Sequence, residues 1–176
     1  MLKQKLTARM LPLTGVFLLS LGAASSIDAA TATSNLAVNA SVTANCTIST
    51  AAVAFGAYDP VSANATTALN GTGTVNVTCT SGASTTITLG QGSNPNTGST
   101  DAAPDRRMGD GATHFLSYAL FQDAGRTTVW GNTAGTGEAN TGTGSQAALT
   151  VYGAVAAGQN VPAGSYSDTV VATVTF

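Results

Sequence analysis

Residues 31–42 carry the signature of a β-strand and have nothing beside them to pair with. Ala32, Ser34, Leu36, Val38, Ala40 and Val42 share one parity, and Thr33, Asn35, Asn39 and Ser41 the other, which is the period-2 alternation of a half-buried strand. No Asn-Gly or Asp-Gly turn directly follows to fold it back on a hairpin neighbour. Its partner must therefore come from far along the chain or from another molecule.

Upstream there is only an export signal. Lys3, Lys5 and Arg9 give a positive start, residues 10–24 form an almost uncharged apolar run, and residues 25–30 offer small side chains for cleavage after Ala29 or Ala30. The apolar run is short for a membrane span, and no cysteine stands at the cleavage point to take a lipid. The expected organisation is a signal peptide at 1–29, an N-terminal strand segment at 30–41 and one domain at 42–176. A mature chain of about 146 residues is large enough to bury a core of its own.

Beyond the signal there is no lysine, and three arginines (Arg106, Arg107, Arg126) face six aspartates and one glutamate. Such a surface has no basic patch for nucleic acid or anionic lipid, and its solubility rests on Thr, Ser, Asn and Gly. Lysine-based covalent links between subunits are excluded, so any assembly is non-covalent. Cys46 and Cys79 are the only cysteines, and in an oxidising compartment they allow a single pairing. The rival, a thiol or metal pair, has a wide spacing and no accompanying histidine or further cysteine.

The rest of the chain reads as short strands separated by turn chemistry. The alternation continues over 42–48 through Cys46, and 53–55 is a short piece closed by Gly56 before the Asp59-Pro60 turn. Val75, Val77 and Cys79 share a face, as do Ile87 and Leu89, then Leu116, Tyr118 and Leu120; 127–130 is a further short candidate. Leu149, Val151 and Val155 form a longer strand with Gly153 where a bulge would sit. Residues 90–111 and 131–144 read as Gly/Ser/Thr/Asn-rich surface loops. No sustained helical period follows the signal, so the class is all-β, a sandwich in preference to a barrel. In the last strand, 165–176, Val170, Ala172, Val174 and Phe176 lie on one face up to the final residue. An apolar last strand and an unpartnered first one suggest a sheet one strand short.

These elements resemble a known family. Cys46-Thr47-Ile48, Phe55-Gly56 with Tyr58 and Pro60, residues 75–79, and Leu116-Ser117-Tyr118-Ala119-Leu120-Phe121 followed by Asp123 occur in order. After them come Trp130-Gly131, Tyr152-Gly153-Ala154-Val155 and the stretch 164–176 with Tyr166 and Asp168. The chain resembles the spore coat protein U domain, and more closely the major pilin subunits of archaic chaperone–usher pili such as the Csu pilus.

The resemblance implies an incomplete immunoglobulin-like β-sandwich completed by a donor strand. A periplasmic chaperone would lend that strand first, and the N-terminal segment of the next subunit would replace it in the fibre. Residues 31–40 would be the donor, with Ala32, Ser34, Leu36, Val38 and Ala40 facing the neighbour's core. Val170, Ala172, Val174 and Phe176 would form the acceptor edge with the strand holding Cys46. The implied partners are neighbouring copies in a head-to-tail homopolymer, the chaperone, an outer-membrane usher and other pilin subunits. The implied location is the cell surface, reached through the periplasm, with a role in adhesion and biofilm formation. The alternative within the family is a coat protein whose own N-terminal strand completes its sandwich.

Catalysis has little to build on. His114 is the only histidine, and a triad would have to enlist Ser117 and Asp110. Asp101, Asp105 and Asp110 lack the alternating oxygen ligands and closing glutamate of a calcium loop. Arg106-Arg107 reads as a surface pair or carboxylate partner, and Asn64-Ala65-Thr66 as a chance triplet in a Thr-rich chain. Trp130 and the tyrosines could form a sugar platform, but core packing explains them more simply. No enzyme activity, cofactor or metal is expected.

Overall fold

A computed structural model of the chain describes residues 28–176. The expected signal, except for its last two residues, lies outside them. Residues 28–45 carry no regular secondary structure, and Leu36, Val38 and Val42 are 87%, 85% and 86% exposed. The rest is built from eight strands: β1 (Cys46–Ala51), β2 (Leu69–Cys79), β3 (Ser84–Leu89), β4 (Arg106–Gly109), β5 (Phe115–Phe121), β6 (Glu138–Thr141), β7 (Gln146–Val155) and β8 (Ala172–Thr175).

They form an all-β sandwich with no helix among the described residues. One sheet has the order β1-β2-β7-β5-β4 and the other β6-β3-β8, and all pairings are antiparallel. Four strands contribute alternate side chains to the space between the sheets: Val75 and Val77 from β2, Ile87 and Leu89 from β3, Leu116, Tyr118 and Leu120 from β5, Val151 and Val155 from β7. At roughly 1.5–3 kcal/mol for each fully buried aliphatic side chain, this alternation is the main driving force for folding.

Cys46 and Cys79 face each other across β1 and β2 and are joined by a disulfide, which pins the start of β1 to the end of β2. Trp130 ties the two sheets together. Its backbone N–H donates to Leu120 O in β5 and its indole Nε1 to Ile87 O in β3, and the ring is wholly buried.

Five expectations need correction. Gly153 is not at a bulge, because the β2–β7 register runs unbroken through Gly71↔Gly153. Its lack of a side chain is used differently: a Cβ there would lie 2.7 Å from Phe55. Residues 53–55 form no strand but lie across the β2–β7 surface. A Cβ on Gly73 would meet Val53 at 2.7 Å, so the sheet carries glycine where this segment crosses. The two glycine-rich stretches hold β4 and β6, and 127–130 makes only the single bridge Phe121↔Val129. Arg106 is no surface residue, as described below.

Candidate functional site: an open groove along the sandwich edge

The free edges of β1 and β8 lie on the same side of the sandwich. Among the described residues, β1 pairs only with β2 and β8 only with β3, so each has one edge without a strand beside it. The two strands approach each other, and past the end of β1 the core is open. One part of the opening, of about 310 Å³, lies between residues 50–55 and the wall of Asp168, Val170 and Ala172, with Val75, Leu89, Leu120 and Val151 in its lining. A second part, of about 560 Å³, continues past Tyr58 to Val161 and is lined by Leu69, Leu116 and Val155. Val53, Phe55, Met108 and Tyr166 line both parts and form the waist between them.

The sequence explains why the groove stays open here. The chain leading into β8 alternates as a strand, and Val170, Ala172 and Val174 are half-buried while Val171 and Thr173 are exposed. Phe176, which the alternation puts on the same face, lies past the end of β8 and is 55% exposed. Before β8, the wall is fastened by specific bonds. Ser167 and Gly109 exchange backbone hydrogen bonds of 2.9 Å. Asp168 Oδ2 accepts from the Tyr118 hydroxyl at 2.6 Å, and Oδ1 accepts from Ser93 N at 2.8 Å and from Asn94 Nδ2 at 3.4 Å. Burial, followed by the Asp168 carboxylate, pushes the Tyr118 phenol well above its ordinary value, so it remains a donor.

Behind the groove sits Arg106, fully buried. Its Nε donates to Gly90 O, and Nη2 donates to Leu89 O and Trp130 O, all at 2.8 Å. Burial lowers its pKa to about 10, so it stays charged at neutral pH. The guanidinium thus gathers two carbonyls at the end of β3 and that of Trp130. Arg107 stacks over Phe115 at 4.1 Å and donates to Asn94 O and Pro95 O.

The remaining candidates fall into local roles. His114 Nδ1 lies 2.6 Å from Asp110 Oδ2, and that contact lowers the Asp110 pKa. Ser117 is engaged through its backbone by the Gln159 amide, and no hydrogen bond among the described residues joins it to His114. Asp101 accepts from Gln91 and Asn132, while Asp105 accepts from Asn96, which keeps these carboxylates on separate partners. Asn64 is buried, accepting from Asp59 N and donating to Thr67 O, and so organises the 59–67 turn. Trp130 is wholly buried and offers no platform to a sugar.

The model of the Spore Coat Protein U domain matches residues 32–173. The chain belongs to that family. A curated relative, "Protein U" of Myxococcus xanthus, is 49% identical over 164 residues, covering 89% of this chain and 92% of the relative. The fold of the domain is also found in a crystal structure of the CsuC–CsuE chaperone–tip adhesion subunit pre-assembly complex from archaic chaperone–usher Csu pili of Acinetobacter baumannii. The TM-score is 0.54 at 21% identity, over 77% of this chain and 40% of that one. The chain therefore spans well under half of the solved chain's length, and the likeness is one of fold.

Proposed function

We propose that the protein is a structural subunit of a chaperone–usher pilus, which polymerises as residues 31–40 of one copy enter the groove of the next. The observation that carries this reading is the open core between residues 50–55 at the end of β1 and residues 166–172 leading into β8. An exposed apolar groove bounded by unpaired strand edges invites strand addition unless it is filled. The occupant is supported by the exposed 31–40 segment, whose alternation suits a groove apolar on one side. Ten extended residues span about 33 Å, enough to follow such an edge. Leu36 and Val38 would each contribute roughly 1.5–3 kcal/mol on full burial, and main-chain pairing the rest.

A contact of one subunit's tail with another's groove is heterologous and does not close on itself, so it gives a filament. A periplasmic chaperone would occupy the groove before assembly and an outer-membrane usher would catalyse the exchange. The fibre would serve adhesion and biofilm formation at the cell surface. The subunit's role is structural, with no catalytic step. A second reading, a coat component, is favoured by the 49% identity to Protein U along nearly the full length. The test is Leu36→Asp or Val38→Asp. Under the pilus reading either variant is exported and captured by the chaperone but forms no fibre. Normal fibres from either would count against the donor assignment.

A further inference from the structure

The donor-strand reading leaves the register open, and the groove contains a feature that sets it. Asp168 is the one charged side chain among the lining residues of either part of the groove. Its Oδ1 has two partners, whereas Oδ2 accepts only from Tyr118. A carboxylate has about four acceptor sites, so Oδ2 can take one further donor. A strand laid over the groove shuts this acceptor off from solvent. An anionic acceptor covered without a replacement donor is costly, so the incoming strand needs one donor at this point.

The inward-facing parity of the 31–40 segment is Ala32, Ser34, Leu36, Val38 and Ala40, and only Ser34 carries a hydrogen-bond donor on its side chain. We propose that Ser34 of the entering subunit donates its hydroxyl hydrogen to Asp168 Oδ2 of the receiving subunit, and that this bond fixes the register and polarity of strand exchange. The inference rests on the donor-strand reading and adds to it the specific pairing. Side chains on one face of a strand recur about every 6.6–6.8 Å. With Ser34 at Asp168, Leu36 falls at the waist beside Met108 and Tyr166, and Val38 enters the wider part between Leu69 and Val161. The opposite polarity would drive both large side chains toward Val170 and Ala172, into the narrower part. The donor therefore runs antiparallel to the 161–172 wall. A slip of one residue would place Asn35 and Asn39 inside.

The test uses full-length variants, with fibres sheared from cells and run on an unheated denaturing gel. Ser34→Asp sets two carboxylates against each other and abolishes the ladder, and combining it with Asp168→Asn restores it. A Ser34→Asp ladder equal to wild type overturns the pairing. So does loss that Asp168→Asn does not restore, when Asp168→Asn alone still polymerises. Should Asp168→Asn alone fail to fold, cysteine pairs decide. In assembled material Leu36→Cys with Met108→Cys forms the intersubunit disulfide, and preferential bonding of Val38→Cys with Met108→Cys overturns the register. Absence of a ladder in wild type defeats the donor-strand reading itself, and the pairing with it, whereas the preceding outcomes defeat the register alone.

Discussion

Tyr118 donates its hydroxyl hydrogen to Asp168 Oδ2 at 2.6 Å, joining β5 in one sheet to the chain that leads into β8 in the other. The bond crosses the place where the core is open, so it holds one wall of the groove at a fixed distance from its floor. Tyr118 also packs edge-on against Phe55, with ring centroids 6.0 Å apart.

Tyr118→Phe keeps the ring in the core and removes only this bond. A hydrogen bond to a charged partner is worth about 1.5–3 kcal/mol. Urea unfolding of the mature chain should therefore show a lower midpoint by that free energy, with an unchanged slope. A variant as stable as wild type would mean that the Asp168 contact does not hold the wall.

Arg106→Lys retains a charge but not the geometry. One ammonium cannot serve Gly90 O, Leu89 O and Trp130 O as the guanidinium does. Each buried carbonyl left without a donor costs about 1–3 kcal/mol, so the variant should unfold at clearly lower denaturant than wild type.

Much of this architecture is legible in the sequence, because the core-facing positions of β2, β3, β5 and β7 obey a strict alternation. The first half of β2 escapes such reading, since Asn70, Gly71 and Gly73 resemble turn chemistry. Their purpose shows only when residues 51–55 are seen lying across them. Arg106 escapes for a related reason: an arginine in a Gly/Ser-rich stretch reads as solvated, and its burial depends on carbonyls 16 to 24 residues away. The groove's two apolar margins can be read locally, but their proximity depends on which strands end up at the sheet edges. Asp168, inconspicuous in a Gly-Ser-Tyr-Ser-Asp run, acquires its role only through Tyr118, fifty residues earlier.

Glu138 gives a pH signature. It stands opposite Ile87 in β6 with Oε2 buried and lacking a hydrogen-bond partner, and burial raises its pKa from 4.5. A raised carboxyl pKa means that the folded state holds the proton more tightly than the unfolded one. Its contribution to stability thus falls as pH rises from 4.5 through the folded-state value, and is level above it. Glu138→Gln should be more stable than wild type at pH 7, with the gain disappearing below the unfolded-state pKa. Equal stability at both ends of a pH series of thermal melts would contradict this.

Gly153→Val tests the crossing of residues 51–55 over the sheet. Even the first added carbon would lie 2.7 Å from the Phe55 ring and 2.8 Å from Val53. Overpacking of this kind costs about 1–3 kcal/mol, and it should also lift Phe55 away from Tyr118. The readouts are the urea midpoint and the near-ultraviolet circular dichroism of the aromatic cluster.

The central claim is that the groove of one copy receives residues 31–40 of another. The most direct measurement compares material sheared from cells producing the intact protein with material lacking those ten residues, on a denaturing gel run without heating. The account predicts a ladder of multimers for the intact protein that collapses to monomer on boiling, and no ladder for the deletion. A monomer band in both lanes would contradict strand exchange between subunits and leave the self-completed coat protein as the reading.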